Sequence, residues 1–121
     1  MEFNKRKEGS QGENLAAEYL KTKGYEIVDR NFHFSRAGEI DIVARDTAHN
    51  TLVFVEVKSG NPGVYGNLIE KITPHKVKQV RKVADAYVHL KKIENQYIRF
   101  DVILVEMKGS DVNIRHIEDA F

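Results

Sequence analysis

The segment Thr51 to Lys58, TLVFVEVK, constrains the fold more than any other part of the chain. Leu52, Val53, Phe54, Val55 and Val57 show no polar alternation, so a strand here must be covered on both faces. Two covered faces need two further layers, which puts the chain in the α/β class with helices packed on a central sheet. Just upstream, Glu39 to Arg45 (EIDIVAR) alternates: Ile40, Ile42 and Ala44 are expected on one face, Glu39, Asp41 and Val43 on the other. The polar stretch Asp46 to Asn50 between the two segments predicts a hairpin.

The flanking sequence supplies the covering layers. Leu15, Ala16, Tyr19 and Leu20 form an apolar stripe on a helix expected from Gln11 to Lys23, capped by Ser10 and stopped at Gly24. Residues 1–9 carry no periodicity and read as a flexible tail before a single domain over residues 10–121. A strand is expected over Tyr25–Phe34, and Ser59 to Gly66, with Pro62, reads as a loop. Thr73 and Pro74 open a second helix whose core face is Val77, Val80, Val83, Ala84, Tyr87 and Val88, ending near Lys92. Tyr97–Met107 and Val112–Ile117 complete the strands. The order is α-β-β-β-α-β-β. The helix between the third and fourth strands requires a crossover, hence a mixed sheet of about five strands flanked by helices.

Composition narrows the chemistry. The chain of 121 residues has no cysteine, so thiolate sites are excluded and any metal would be held by oxygen or imidazole donors. Mg²⁺, with Mn²⁺ as the alternative, is then the natural ion. No apolar run approaches the ~20 residues of a membrane span, and Met1 to Ser10 lacks the apolar region of a signal peptide. A cytoplasmic protein without membrane contact is expected. The net charge of +1 leaves nucleic-acid binding to local charge distribution.

Three residues of the hairpin carry the chemistry. Glu56 and Lys58 share a face of their strand, and a short-turn hairpin can set Asp41 beside Glu56. An ionised carboxylate inside an apolar strand is costly unless it is paired or binds metal, and two adjacent carboxylates repel. A divalent cation resolves both, and Lys58 can neutralise charge or position water. This is the set that metal-assisted phosphodiester hydrolysis requires. The plain alternative is a solvated strand edge with an ion pair.

At these residues, Gly38-Glu39-Ile40-Asp41-Ile42-Val43-Ala44-Arg45 and Leu52-Val53-Phe54-Val55-Glu56-Val57-Lys58, the chain resembles the core of the PD-(D/E)XK nuclease superfamily, which is restriction-endonuclease-like in fold. More narrowly it resembles the YraN-like bacterial family, regarded as similar to archaeal Holliday-junction resolvases. Gly12-Glu13-x-x-Ala16, Tyr65-Gly66 with Glu70, Thr73-Pro74 and Lys76, Arg99-Phe100-Asp101-Val102 and His116-Ile117-x-x-Ala120-Phe121 extend the likeness over nearly the whole chain. The resemblance implies Asp41 and Glu56 as Mg²⁺ ligands with the Val57 carbonyl as a third, Lys58 as the catalytic lysine, and Glu13 as a carboxylate near the metal. Glu39 stands where the superfamily keeps a proline, and Ser59-Gly60 where the family often has a basic residue.

The resemblance also implies a metal-dependent endonuclease acting on DNA, branched or junction DNA included, and working as a homodimer. A non-cleaving nucleic-acid-binding module on the same fold is the alternative, and a protein-interaction domain is a third reading. The second helix carries many cations; Lys76, Gln79, Arg81 and Lys82 are candidates for nucleic-acid contact, against the usual meaning of a solvated face. Lys5, Arg6 and Lys7 read as part of a solubilising tail. The five histidines are scattered, and none is expected as a ligand. Asp101 is expected to serve as a structural hydrogen-bond acceptor. Tyr65 reads either as a base-stacking surface or as a plain loop aromatic.

Overall fold

The computed structural model describes residues 2–61, 69–70 and 72–121, with residues 2–9 described by their backbone alone. The strands are β1 (Glu26–Phe34), β2 (Gly38–Asp46), β3 (Thr51–Gly60), β4 (Tyr97–Lys108) and β5 (Asp111–Ile117), preceded by helix α1 (Glu2–Thr22), with α2 (Pro74–Leu90) between β3 and β4. They form one five-stranded sheet in the order β1-β2-β3-β4-β5. Only β3 and β4 run parallel, because α2 makes the crossover between them; the other neighbours are antiparallel. The expected α/β architecture, a mixed sheet between helical layers, is what the chain adopts.

The two faces of β3 explain its apolar sequence. Val53, Val55 and Val57 pack with Ala16, Ala17 and Leu20 of α1. Leu52 and Phe54 pack with Val80, Val83, Ala84 and Tyr87 of α2. Phe54 and Phe32 both meet the Tyr87 ring edge-on, at centroid distances of 5.7 and 4.9 Å, a geometry that aromatic quadrupoles favour. Thr73 caps α2 as expected: its hydroxyl accepts the Lys76 N–H at 3.2 Å, and Pro74 follows at the first turn.

Three local expectations need correction. Helix α1 starts at Glu2 rather than near Gln11, so residues 2–9 are helical and Ser10 is inside the helix rather than its cap. Lys5, Arg6, Lys7 and Glu8 are good helix formers without an apolar stripe, and apolar periodicity alone misses such a turn. Ser59 and Gly60 end β3, paired with Val105 and Glu106, rather than opening a loop. Tyr65 and the remainder of the expected loop through Gly66 lie outside the described residues. Finally, Ile40 and Val43 pack on the α2 side whereas Ile42 and Ala44 pack on the α1 side. The simple alternation of β2 fails at Asp41, where its pairing with β3 also ends.

Gly12 sets the distance between α1 and the sheet. A Cβ there would stand 2.6 Å from Ser59 Cβ and 2.7 Å from Ser59 Oγ, closer than packed atoms approach. Gly12→Ala is expected to cost about 1–3 kcal/mol by overpacking, although alanine is intrinsically the better helix former by ~1 kcal/mol. Adding Ser59→Gly should recover most of that loss. Urea unfolding of both single variants and the double variant checks this; strictly additive losses would count against the close contact as the reason for glycine.

Candidate active site

The site forms where β2 and β3 part. Their ladder runs from Asp46↔Thr51 to Ile42↔Val55 and stops. The next residue of β2 is Asp41, and its Oδ2 accepts the Val57 N–H at 2.8 Å. The carboxylate thus takes the place of a backbone carbonyl and satisfies a buried donor. Gly38 opens β2 with φ +132, a conformation that favours glycine, and a Cβ there would meet the Gln79 side chain at 3.0 Å.

Glu56 lies on the α2 side of β3, two residues beyond Phe54, and is only 2% exposed. Its Oε1 is buried with no hydrogen-bond partner among the described residues. Its Oε2 faces Lys76 Nζ of α2 at 3.5 Å. Burial first, and then the negative charge of Asp41, push its pKa up from 4.5 to about 7, against the opposing pull of Lys76 and Lys58. Burial raises the Asp41 pKa too; the Val57 N–H opposes it, Glu39 adds to it, and Lys58 and Lys76 oppose it. On α1, half-buried Glu13 is raised by burial and then by Asp41, with Arg30 opposing. Glu13, Asp41 and Glu56 therefore lie in one field, contributed by α1, β2 and β3, with Lys58 and Lys76 as the neighbouring cations.

The donor set suits a hard divalent ion. It consists of oxygens, two of its carboxylates are buried, and one buried oxygen has no partner. Among the described residues no three His, Asp or Glu groups converge as a closed cage. A Mg²⁺-type site needs none, since that ion is held by one or two carboxylates with waters and substrate phosphates completing its shell. Asp41, Glu56 and the Val57 carbonyl are the groups that would hold it.

With this geometry in hand, residues 12–105 match the model of the uncharacterised protein family UPF0102. The chain belongs to that family. A UPF0102 protein of Caldicellulosiruptor saccharolyticus is 42% identical over 121 residues, covering 98% of this chain and 100% of the relative. One from Geobacter sulfurreducens is 46% identical over 114 residues, covering 93% and 87%. One from Clostridium botulinum is 43% identical over 116 residues, covering 93% and 92%. The region matched to UPF0102 starts at Gly12 and ends at Val105, so it contains Glu13, Asp41, Glu56, Lys58 and Lys76.

The other residues singled out in this UPF0102 chain divide cleanly. Glu39 pairs with His33 at 3.0 Å on a partly exposed edge. Gln79 packs over Gly38. The Arg81 guanidinium lies over the Phe100 ring at 4.7 Å, and Lys82 is exposed. Of the four α2 residues, Lys76 alone is joined to the carboxylate centre by an ion pair among the described residues. Asp101 is an acceptor, as expected, held by Arg99, His116 and the Asp119 N–H. Sequence reasoning overlooked Arg30. Its Nε is buried without a hydrogen-bond partner among the described residues, and it lies opposite Ile42, next to Asp41, in a register that no sequence period encodes. No described helix is long and apolar enough to cross a membrane.

Proposed function

We propose that this protein is a metal-dependent endonuclease that hydrolyses phosphodiester bonds in DNA, with branched or junction DNA as the first substrates to test. The observation that carries the reading is Glu56: a carboxylate buried in an apolar strand, one oxygen unpartnered, beside a second buried carboxylate and two lysines. Such an arrangement is unfavourable for folding alone and is what a hydrolytic metal site needs.

Hydrolysis here means attack of a water oxygen on phosphorus, cleavage of the bond to the sugar oxygen, and delivery of a proton to that leaving oxygen. Asp41 and Glu56 would hold Mg²⁺ or Mn²⁺, which would supply Lewis-acid polarisation of the phosphoryl oxygen and a more acidic water. Asp41 keeps its carboxylate oriented through the Val57 N–H. Lys58, on the same face as Glu56, offers an ammonium to the attacking water or to a phosphate oxygen. Glu13, on α1, feels the charge of Asp41 and is suited to accept a proton from water, since burial raises its affinity for one. A homodimer suits two cuts across a symmetric junction; light scattering with and without junction DNA tests this, and a monomer under both conditions would refute it.

The exposed cations of α2, Lys78 and Lys82 among them, favour one other reading, a nucleic-acid-binding module that does not cut. The deciding experiment is cleavage of labelled duplex, single strand, flap and four-way junction in Mg²⁺ or Mn²⁺. Glu56→Ala and Lys58→Ala are each expected to reduce cutting by more than about a hundredfold, beyond the 10–100-fold typical of groups that only support a metal ligand. Chelator should abolish cutting. Salt-sensitive binding with no cutting by the wild type would establish the binding module instead.

A further inference from the structure

Lys76 occupies an unusual position. Its backbone is fixed in the first turn of α2, with its N–H held by the Thr73 hydroxyl at 3.2 Å. Its side chain is 26% exposed, and its ammonium reaches Glu56 Oε2 at 3.5 Å. Glu56 has a second oxygen, Oε1, buried and without a hydrogen-bond partner among the described residues. One cation therefore serves one of the two oxygens of a buried carboxylate. A lysine stem rotates about four bonds and carries a compact, hydrated charge, so its head can leave for solvent while its backbone stays fixed. Lys58, from β3, acts on the same two carboxylates.

A divalent ion bound by Asp41 and Glu56 would bring more charge to Glu56 than the ammonium and would repel it. The ammonium would then lie at the rim of the site, at the N-terminal end of α2, where the helix dipole also favours anions. We propose that Lys76 is an exchangeable counter-cation: it neutralises Glu56 in the metal-free protein, and metal binding releases it to a phosphate of the nucleic-acid backbone. This inference rests on the nuclease reading for its second half only. The first half, competition between lysine and metal, requires no substrate. The exchange keeps Glu56 paired in both states, and it makes the phosphate contact conditional on metal.

The test has two arms. In the first, Mn²⁺ alone is titrated calorimetrically into wild type, Lys76→Met, Lys76→Arg and Lys78→Met, at a pH high enough to ionise Glu56. Lys76→Met is expected to bind Mn²⁺ about twofold to fivefold tighter, the factor of one partly screened ion pair. Lys76→Arg, which keeps the charge, should stay near wild type, as should exposed Lys78→Met. Unchanged or weaker Mn²⁺ affinity in Lys76→Met overturns the exchange.

In the second arm, binding to a labelled four-way junction is measured against salt, in Ca²⁺ and in chelator. Lys76→Met should lower the salt slope by about one phosphate contact in Ca²⁺ and leave it unchanged in chelator. An equal loss in both conditions overturns the conditional contact. No DNA binding at all, with the Mn²⁺ gain intact, overturns the nuclease reading while upholding the exchange at Glu56.

Discussion

Asp101→Ala is expected to destabilise the fold by about 3–5 kcal/mol, the range for removing one partner of a buried ionic network. Asp101 is fully buried on β4. It accepts from Arg99 Nε at 2.9 Å and Nη2 at 2.8 Å, from His116 Nε2 at 2.7 Å and from the Asp119 N–H at 3.0 Å. The Arg99 contact is two-pronged, which adds both geometry and strength. Truncation leaves the guanidinium, an imidazole and a backbone donor without their acceptor. Arg99 would keep Tyr25 at 2.6 Å and Glu118 at 3.1 Å, so the loss is partial for arginine and complete for the Asp119 amide among the described contacts. Equilibrium urea unfolding measures it, and a change below about 1 kcal/mol would show that the network contributes little.

The same network sets an acid limit. Burial pushes the Asp101 pKa up, but the hydrogen bonds from His116, Arg99 and the Asp119 amide outweigh burial and hold it below 3.8. A lowered folded pKa means stability that is present above the unfolded value and lost as pH falls through the folded one. The wild type should therefore lose stability below about pH 4 by a component that Asp101→Ala lacks. Asp101 pairs in register with Val55 on the α1 side of the sheet, whereas Glu56 faces α2. Asp101→Ala that remains folded should thus keep the metal affinity of the wild type.

The legible parts of this protein were those whose causes are local. The apolar run of β3, the Thr73–Pro74 start of α2 and the Asp46–Asn50 turn each depend on neighbours within a few residues, and each is found where expected. The identity of Glu56 as an anomaly was legible for the same reason: a carboxylate among valines is visible without coordinates. The change of face at Asp41 was not, because it depends on where β3 leaves β2, a property of two strands and of α1 beneath them. Lys76 was singled out for its charge and its place at a helix start. Its pairing with Glu56 depends on how the chain returns from β3 to α2. The Arg99–Asp101–His116 cluster joins β4 to β5 across the 15 residues that separate Asp101 from His116, and no sequence period encodes that contact.

Glu56 should prove a liability for folding and a requirement for function. Its folded pKa, about 7, lies above the ordinary 4.5 because burial and then Asp41 disfavour its charge. A carboxyl with a raised folded pKa binds more protons when native than when unfolded. Stability therefore falls as pH rises from about 4.5 through about 7, then levels off. At ~1.36 kcal/mol per pKa unit Glu56 contributes roughly 3 kcal/mol to this fall. Asp41 is raised as well, so the decline belongs to the pair rather than to either acid. In chelator, Glu56→Gln should remove most of this slope and be more stable than the wild type by about 1–3 kcal/mol above pH 7, with the gap closing toward pH 4.5. Mn²⁺ should reverse the order. An ion that binds only the folded site stabilises the protein by mass action, so Mn²⁺ should stabilise the wild type and leave Glu56→Gln nearly unchanged. Parallel pH profiles for the two proteins in chelator would mean that Glu56 is not strained. A reversal by Mn²⁺ would show that a position costly to the empty fold is recovered when the ion is bound.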